Sequence, residues 1–402
     1  MINKLKKANL VGRGGACFPT WLKWKFVQEA KGDTKYIICN ASEGEPGVKK
    51  DGYILEHFPE RVINGMKIAI DFLSFGYAQD KSSGKTSVNG IRKKQVEQSK
   101  IKVKAYIYIN HNYHKKYAKK LNELITSPQP SQPLPSPPLR KGKEVSPLLT
   151  KEGVRGRLPI ELFIKPIGSG YIGGEETSAI NAIEEKRIEP RLRPPFPPTA
   201  GLWGCPTLVN NVETFYAVSK IAAGEYENKR FYTITGDCLK TGVYELAENW
   251  TIARIIKETN NMVKFPFFVQ IGGDMSGEVL NEKQLKKGVG GSGSIKVYSM
   301  KKYKPKQLIM HWLNFFLDHS CGQCTPCREG VFRLTEIMQS PKPDWPLFTE
   351  LLNNLEEASF CGLGCVVPVP IKSYIQNVLA DMPENKINLP KGSKQIIYEC
   401  FK

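Results

Sequence analysis

Apolar and polar positions alternate along this chain with two rhythms, and the switch between them places most of its elements. Short, nearly continuous apolar runs bounded by turn residues read as buried strands. They occur at residues 35–40 (Lys-Tyr-Ile-Ile-Cys-Asn), 105–109 (Ala-Tyr-Ile-Tyr-Ile) and 160–165 (Ile-Glu-Leu-Phe-Ile-Lys). Helical spacing of Ile54, Leu55, Phe58, Val62, Ile63 and Met66 predicts a helix over 51–75, and a second is expected at 112–125. Farther on, strand-like runs at 230–235, 242–245, 265–272 and 294–299 enclose one short helix at 251–257. That β-rich pattern predicts a separate small domain of the ubiquitin-like grasp type. From residue 304 the rhythm is helical throughout.

Two stretches break these rhythms. Residues 77–104 are polar, lysine-rich and poorly periodic. Residues 127–157 carry seven prolines between Pro128 and Pro147, with six basic residues against two acidic ones. The second reads as an inserted loop of polyproline character, or as a docking motif for a proline-reading domain. Such tracts carry much of the formal charge of +19 over 402 residues. No nucleic-acid module accompanies them, so a solvated basic surface is expected and nucleic acid is not. No run of 18 or more apolar residues occurs, and the basic start lacks a secretory signal. The expected location is the cytoplasm, without direct membrane insertion.

Candidate chemistry sits where the rhythms change. Residues 12–20 form a glycine-rich loop with Gly12, Arg13, Gly14, Gly15 and Phe18, followed by Lys23 and Phe26. Glycines let a backbone approach a phosphate or flavin, and a lysine one turn later neutralises it. The loop fits neither the P-loop nor G-x-G-x-x-G, so a plain tight turn is the alternative. The strand at 35–40 ends in Asn40 and runs into Ser42-Glu43-Gly44-Glu45-Pro46-Gly47. Polar loops at strand ends are where open α/β sheets bind ligands. Gly168-Ser169-Gly170-Tyr171-Ile172-Gly173-Gly174-Glu175-Glu176 opens a helix that runs through about residue 185. Its two glutamates suit ribose hydroxyls better than phosphate, or they compensate the helix dipole. A cationic, proline-rich stretch around Arg193 and Phe196 leads to Asn210-Asn211, which suit a flat heterocycle or a helix cap.

Cys321, Cys324 and Cys327 follow as C-x-x-C-x-x-C, with Cys361 downstream and Cys365 its rival as a fourth ligand. This spacing suits a [4Fe–4S] cube, since one loop wraps three corners and a remote cysteine closes the fourth. Four-thiolate zinc sites more often pair two separate C-x-x-C units. The other cysteines, Cys17, Cys39, Cys205, Cys238 and Cys400, read mostly as small buried hydrophobes.

In this order, from residue 12 to about 375, the motifs resemble those of the family of flavin-bearing, NADH-oxidising subunits of respiratory complex I. They are similar also to relatives in NAD-linked hydrogenases and formate dehydrogenases. The resemblance implies an α/β plus α architecture. It comprises a Rossmann-like FMN domain (1–228), a ubiquitin-like soluble-ligand-binding β-grasp domain (229–300) and a helical bundle with a [4Fe–4S] cluster (301–402). It implies that NADH gives a hydride to FMN and that single electrons pass to the cube, then to partner subunits and ultimately quinone. By the same likeness Gly12, Arg13, Gly14, Gly15, Lys23, Asn40, Glu43, Gly173, Gly174, Asn210 and Asn211 would line the flavin. Glu45, Glu175 and Glu176 would lie near the nicotinamide and its ribose, and Phe18, Phe26 and Phe196 around the adenine. Cys321, Cys324, Cys327 and Cys361 would bind the cluster. Ser42 stands where the family usually has Asp, Cys17 where it has Gly, and Arg193 where it has Lys. The implied partners are a [2Fe–2S] subunit and a multi-cluster iron–sulfur subunit, in a complex peripheral to the cytoplasmic membrane. Eleven residues precede the glycine loop and no ferredoxin-like extension is present, which favours a complex I-type subunit over a hydrogenase-type diaphorase. An FMN and iron–sulfur scaffold without NADH oxidation is the remaining alternative.

Overall fold

The computed structural model describes residues 1–74, 101–127 and 158–381. Most of the two expected insertions lies outside the described residues, as does Cys400. The order of elements begins α1 (Ile2–Lys7), α2 (Thr20–Glu29), β1 (Thr34–Ala41), α3 (Lys50–His57), α4 (Pro59–Ser74), β2 (Lys102–Ile109) and α5 (His111–Thr126). It continues β3 (Ile160–Ile164), α6 (Glu176–Ile183), β4 (Thr207–Asn211) and α7 (Val212–Ala223). The four strands form one parallel sheet in the order β3-β2-β1-β4.

Both faces of this sheet are covered, as parallel sheets require. Ile37, Cys39 and Ala41 of β1 point into a core built with α1, α2, α3, α4, α5 and α7. Tyr36 and Ile38 point the other way, against Ala179, Ile180 and Ile183 of α6. Two expectations need correction. The single helix over 51–75 is two, because Pro59 cannot donate into a continuing helix and instead opens α4 after a break at Phe58. The polar tract ends earlier than residue 104. Lys102 and Lys104 are the exposed positions of β2, alternating with buried Val103 and Ala105.

The chain then builds β5 (Lys229–Gly236), β6 (Gly242–Ala247), α8 (Ile252–Glu258), β7 (Phe267–Ile271), β8 (Glu278–Asn281) and β9 (Ser294–Ser299). These strands make a mixed sheet in the order β6-β5-β9-β7-β8, with β5 and β9 parallel. Ile252, Ile255 and Ile256 of α8 fill one face. Phe268, Val279 and Tyr298 on the other face join the core of the helical region. That region consists of α9 (Pro305–His319), α10 (Thr325–Gln339), α11 (Trp345–Ala358), α12 (Gly362–Val366) and α13 (Pro368–Asn377). The chain is thus mixed α/β, with a parallel sheet and a helical C-terminal part.

In the first core α4 crosses α7 at Gly65, where an added Cβ would lie 2.0 Å from the carbonyl oxygen of Phe215. Gly65→Ala forces the helices apart and is expected to cost about 1–3 kcal/mol. Urea unfolding measures it, and an unchanged midpoint would contradict this crossing.

Candidate functional site

The chain passes from β1 to β2 and β3 on one side, while β4 pairs on the other. Strand order therefore reverses between β1 and β4. In open parallel sheets the ligand crevice lies at the carboxyl ends of the strands at such a reversal. The register places Asn40 opposite Asn211 there, and Cys39 opposite Asn210.

Three loops meet at these strand ends. Asn40 Nδ2 donates to Gly174 O at 2.8 Å, and a Cβ on Gly174 would sit 2.6 Å from Ser42 Oγ. The glycine loop is closed by Gly12 N donating to Phe18 O at 2.8 Å, and a Cβ on Gly14 would meet Asn211 Cβ at 3.3 Å. Gly15, at φ +118°, has open space where a side chain would project. Backbone thus borders these strand ends on one side, and a concavity at the reversal, where open parallel sheets place their ligand crevice, suits a flat, anionic group.

Of the expected side chains, several are held by partners in the protein. The Arg13 guanidinium is buried on Glu248 (2.5 and 2.7 Å) and Tyr226 Oη (3.1 Å). With its amide oriented to satisfy both ends, Asn210 accepts from Trp24 Nε1 at 2.9 Å and donates to Val209 O at 3.0 Å. Lys23 Nζ donates to Glu176 Oε2 at 2.9 Å and to Val209 O at 3.2 Å. Glu175 caps α6, accepting from Thr177 N at 2.8 Å and Ser178 N at 2.9 Å, while its other oxygen pairs with Arg193. Arg193 also lies 3.2 Å from Glu176 Oε1. Gly173 packs its backbone against Ser169. Phe18, Phe26 and Phe196 are all exposed.

The acidic loop divides its two glutamates between different neighbours. Glu43 accepts from Asp51 N at 2.8 Å, Gly52 N at 3.1 Å and the Tyr113 hydroxyl. Glu45 reaches the second sheet, accepting from Met275 N at 2.7 Å and from Ser276 N and Oγ at 3.1 Å. Beside it, Asp274 is buried between Thr235 Oγ1 (3.2 Å) and Lys296 Nζ (3.7 Å). Burial pushes the Asp274 carboxyl up to about 6, and Lys296 opposes that.

The turn before α6 leads toward the cysteines. Tyr171 N donates to His319 Nδ1 at 3.3 Å, and the Tyr171 and Phe315 rings are 5.3 Å apart. A cavity of about 300 Å³ lies between residues 167–172 and Asp318 to Cys321. Arg187 donates to Cys321 O at 3.1 Å. Cys324 and Cys327 are buried, whereas Cys321, Cys361 and Cys365 are half-buried. Cys324 occupies the position just before α10, and Cys327 Sγ lies 3.3 Å from Ser320 Oγ. Burial first, then neighbouring groups that include Cys321, pushes the free thiols of Cys327 and Cys361 up to about 11. Such thiols lose their protons readily only to a metal. The N–H groups of Leu363 and Gly364 face the Cys361 sulfur, whereas Cys365 donates to Ser359 O at 3.6 Å. Among the described residues no three ligand side chains converge on a single ion. A cube binds thiolates at its separate corners.

A parallel-sheet reversal linked to a cysteine-rich helical end defines a mixed α/β protein with a candidate redox centre. The chain belongs to the family of F-type NADH-quinone oxidoreductase subunits: the Nuo51 FMN-binding domain matches residues 5–79 and 89–220, and the NADH-ubiquinone oxidoreductase-F iron-sulfur binding region matches 307–384. It is 31% identical to the F-type NADH-quinone oxidoreductase subunit of Aquifex aeolicus, over 94% of this chain and 83% of that one. It is 30% identical to the NAD-reducing hydrogenase HoxS subunit alpha of Cupriavidus necator, over 98% of this chain and 61% of that one. A crystal structure of NAD+-reducing [NiFe]-hydrogenase in the H2-reduced state superposes with a TM-score of 0.72 at 25% identity. That match covers 94% of this chain but only 60% of the hydrogenase chain.

Asp274 gives the site a pH signature. Between its ordinary value of 3.8 and about 6, the folded chain keeps a proton that the unfolded chain has released. Its contribution to stability is therefore greatest at low pH and falls as pH rises through that window. Asp274→Asn is expected to flatten this part of the stability–pH profile in urea titrations. An unaltered slope would show that Asp274 is not the group responsible.

Proposed function

We infer that this chain oxidises NADH at FMN held over the β1–β4 strand ends and passes electrons singly to a [4Fe–4S] cluster on Cys321, Cys324, Cys327 and Cys361. One observation carries the reading. The concavity at Asn40 and Asn211 is connected to the cysteine centre through Tyr171 and His319, within one chain. The parallel sheet with its reversal supports a Rossmann-like FMN domain over 1–228. The mixed sheet around α8 supports a ubiquitin-like β-grasp over 229–300, and the helices that follow support a cluster-bearing bundle over 301–402.

The residues present fit both groups. Gly15 leaves open space beside the glycine loop, Gly14 lets that loop lie close on Asn211, and Lys23 supplies a positive charge held in place by Glu176. Asn40, Asn211, Gly173 and Gly174 form the wall beneath. Asn210 braces that wall through Trp24, and Arg13 braces the glycine loop through Glu248. When bound, FMN accepts two electrons as a hydride and releases them one at a time, which suits a cube that carries one. Glu175 and Glu176 present acceptors to ribose hydroxyls in competition with Arg193. Glu45 fixes the loop that faces the nicotinamide, and exposed Phe18, Phe26 and Phe196 offer surfaces for adenine. The two N–H groups at Cys361 favour it over Cys365 as the closing ligand.

The expected partners are a [2Fe–2S] subunit and a multi-cluster iron–sulfur subunit that forwards electrons to quinone, with the assembly at the cytoplasmic membrane. No helix among the described residues is long and apolar enough to cross a membrane, so attachment would run through those partners. The hydrogenase relatives support a second reading, a diaphorase subunit with the same internal electron path.

Cys324→Ser is expected to abolish the low-temperature paramagnetic signal of the reduced cube while FMN stays bound and NADH still reduces ferricyanide. Cys361→Ser should behave alike and Cys365→Ser should not. Bound flavin that NADH fails to bleach would overturn the enzyme reading, and one zinc without iron would overturn the cluster.

A further inference from the structure

Beneath the strand ends lies a set of ionisable side chains that the electron path does not use. Lys50 Nζ is 2.5 Å from Asp51 Oδ1, 2.9 Å from Asn211 Oδ1 and 3.3 Å from Glu213 Oε2. Asn211 Nδ2 donates to Asp51 Oδ2 at 2.6 Å, and Glu213 Oε1 accepts from Phe231 N at 2.9 Å. Lys50, Asp51 and Glu213 are each only 2% exposed. Glu43 completes the set at the start of α3, where Tyr113 and, behind it, Tyr117 of α5 face its carboxyl.

Three carboxylates thus share one ammonium; a second cation, Arg13, also acts on Glu213 but is neutralised by its own pair with Glu248. Fully ionised, they would leave excess negative charge in a space with little water, and enclosed like charges of this kind retain a proton among them. Asp51 and Glu213 touch the ammonium directly. Glu43 touches neutral donors instead, and alone of the three keeps some surface exposure through which water exchanges. The shared proton therefore belongs on Glu43. Burial, with Asp51 adding to it, holds this carboxyl up at about 7.

We propose that Glu43 takes up a proton when negative charge arrives in the concavity above it, with Lys50 and Tyr113 as the positioning residues that set this proton's affinity. Asn211 links the two levels. Its amide bridges Lys50 and Asp51, and its Cβ lies under Gly14 of the glycine loop. The inference rests on the flavin reading above. A hydride carries two electrons and one proton, so its arrival adds one negative charge. The compensating proton comes from water onto a Glu43 oxygen, forming one O–H bond and leaving its base in the buffer. NADH is the only reductant required.

Infrared difference spectra of the full chain test this in two arms. In the flavin-free chain, a carboxylic C=O band should titrate near neutrality and be absent in Glu43→Gln. In the FMN-loaded chain reduced electrochemically, without NADH, the band should grow on reduction. Tyr113→Phe removes one hydrogen bond from the ionised form and should raise proton affinity about tenfold, shifting the midpoint up by about one pH unit. Lys50→Met should shift it further in the same direction. Tyr113→Phe, which loses a single oxygen, keeps the test decisive if Lys50→Met does not fold. A band that survives in Glu43→Gln overturns the assignment. Titration without growth on reduction overturns the coupling. A chain that titrates but binds no FMN overturns the flavin reading and the coupling with it.

Discussion

The pairing of β1 with β4 is the constraint on which the rest of the site depends. It sets Asn40 against Asn211, and those two residues carry contacts to every loop around the concavity. Asn40 holds the turn before α6 through Gly174. Asn211 caps α7 by accepting from Glu213 N, lies under the glycine loop, and anchors Lys50. A slip of one residue would send each side chain to the opposite face and break all of these contacts together. Both faces of β1 are apolar, so hydrophobicity alone does not fix this register, and the polar contacts of Asn40 and Asn211 supply what it lacks.

The buried charges serve this geometry more than they serve stability. Ion pairs removed from water contribute little net free energy, yet losing one partner is costly. Here they join distant parts of the chain. Arg13 ties the glycine loop to Glu248, and Glu45 ties the acidic loop to Met275 and Ser276. Glu213 reaches Phe231 N at the start of the second sheet, and Lys49 N donates to Thr233 Oγ1 beside it.

The elements most legible in the sequence were those buried on both faces. The strands at 35–40 and 105–109 stand out because nearly every position is apolar, whereas the lysines that open β2 imitate a loop. β8 leaves no periodic signal, because its four residues, with only Val279 and Leu280 buried, are too few to show one. The cysteine spacing and the glycine turns were legible because their chemistry is local. The engagements of Arg13 and Glu45 were not, since each partner lies more than two hundred residues away. Lys50 and Asp51, adjacent in sequence, look like an ordinary surface pair, and only the three-dimensional fold shows them enclosed. Asn211 and Glu175 illustrate a further point. Each does cap a helix, and capping leaves part of the side chain or its backbone facing the site.

The ties between the two sheets bear on how the chain matures. Two of the three loops around the concavity are fastened to residues made later by the ribosome: the glycine loop to Glu248, the acidic loop to Met275 and Ser276. All four strands of the parallel sheet are made by residue 211, before any of these partners. A chain ending before residue 248 would hold every strand of the parallel sheet yet neither of the clasps that fasten its rim.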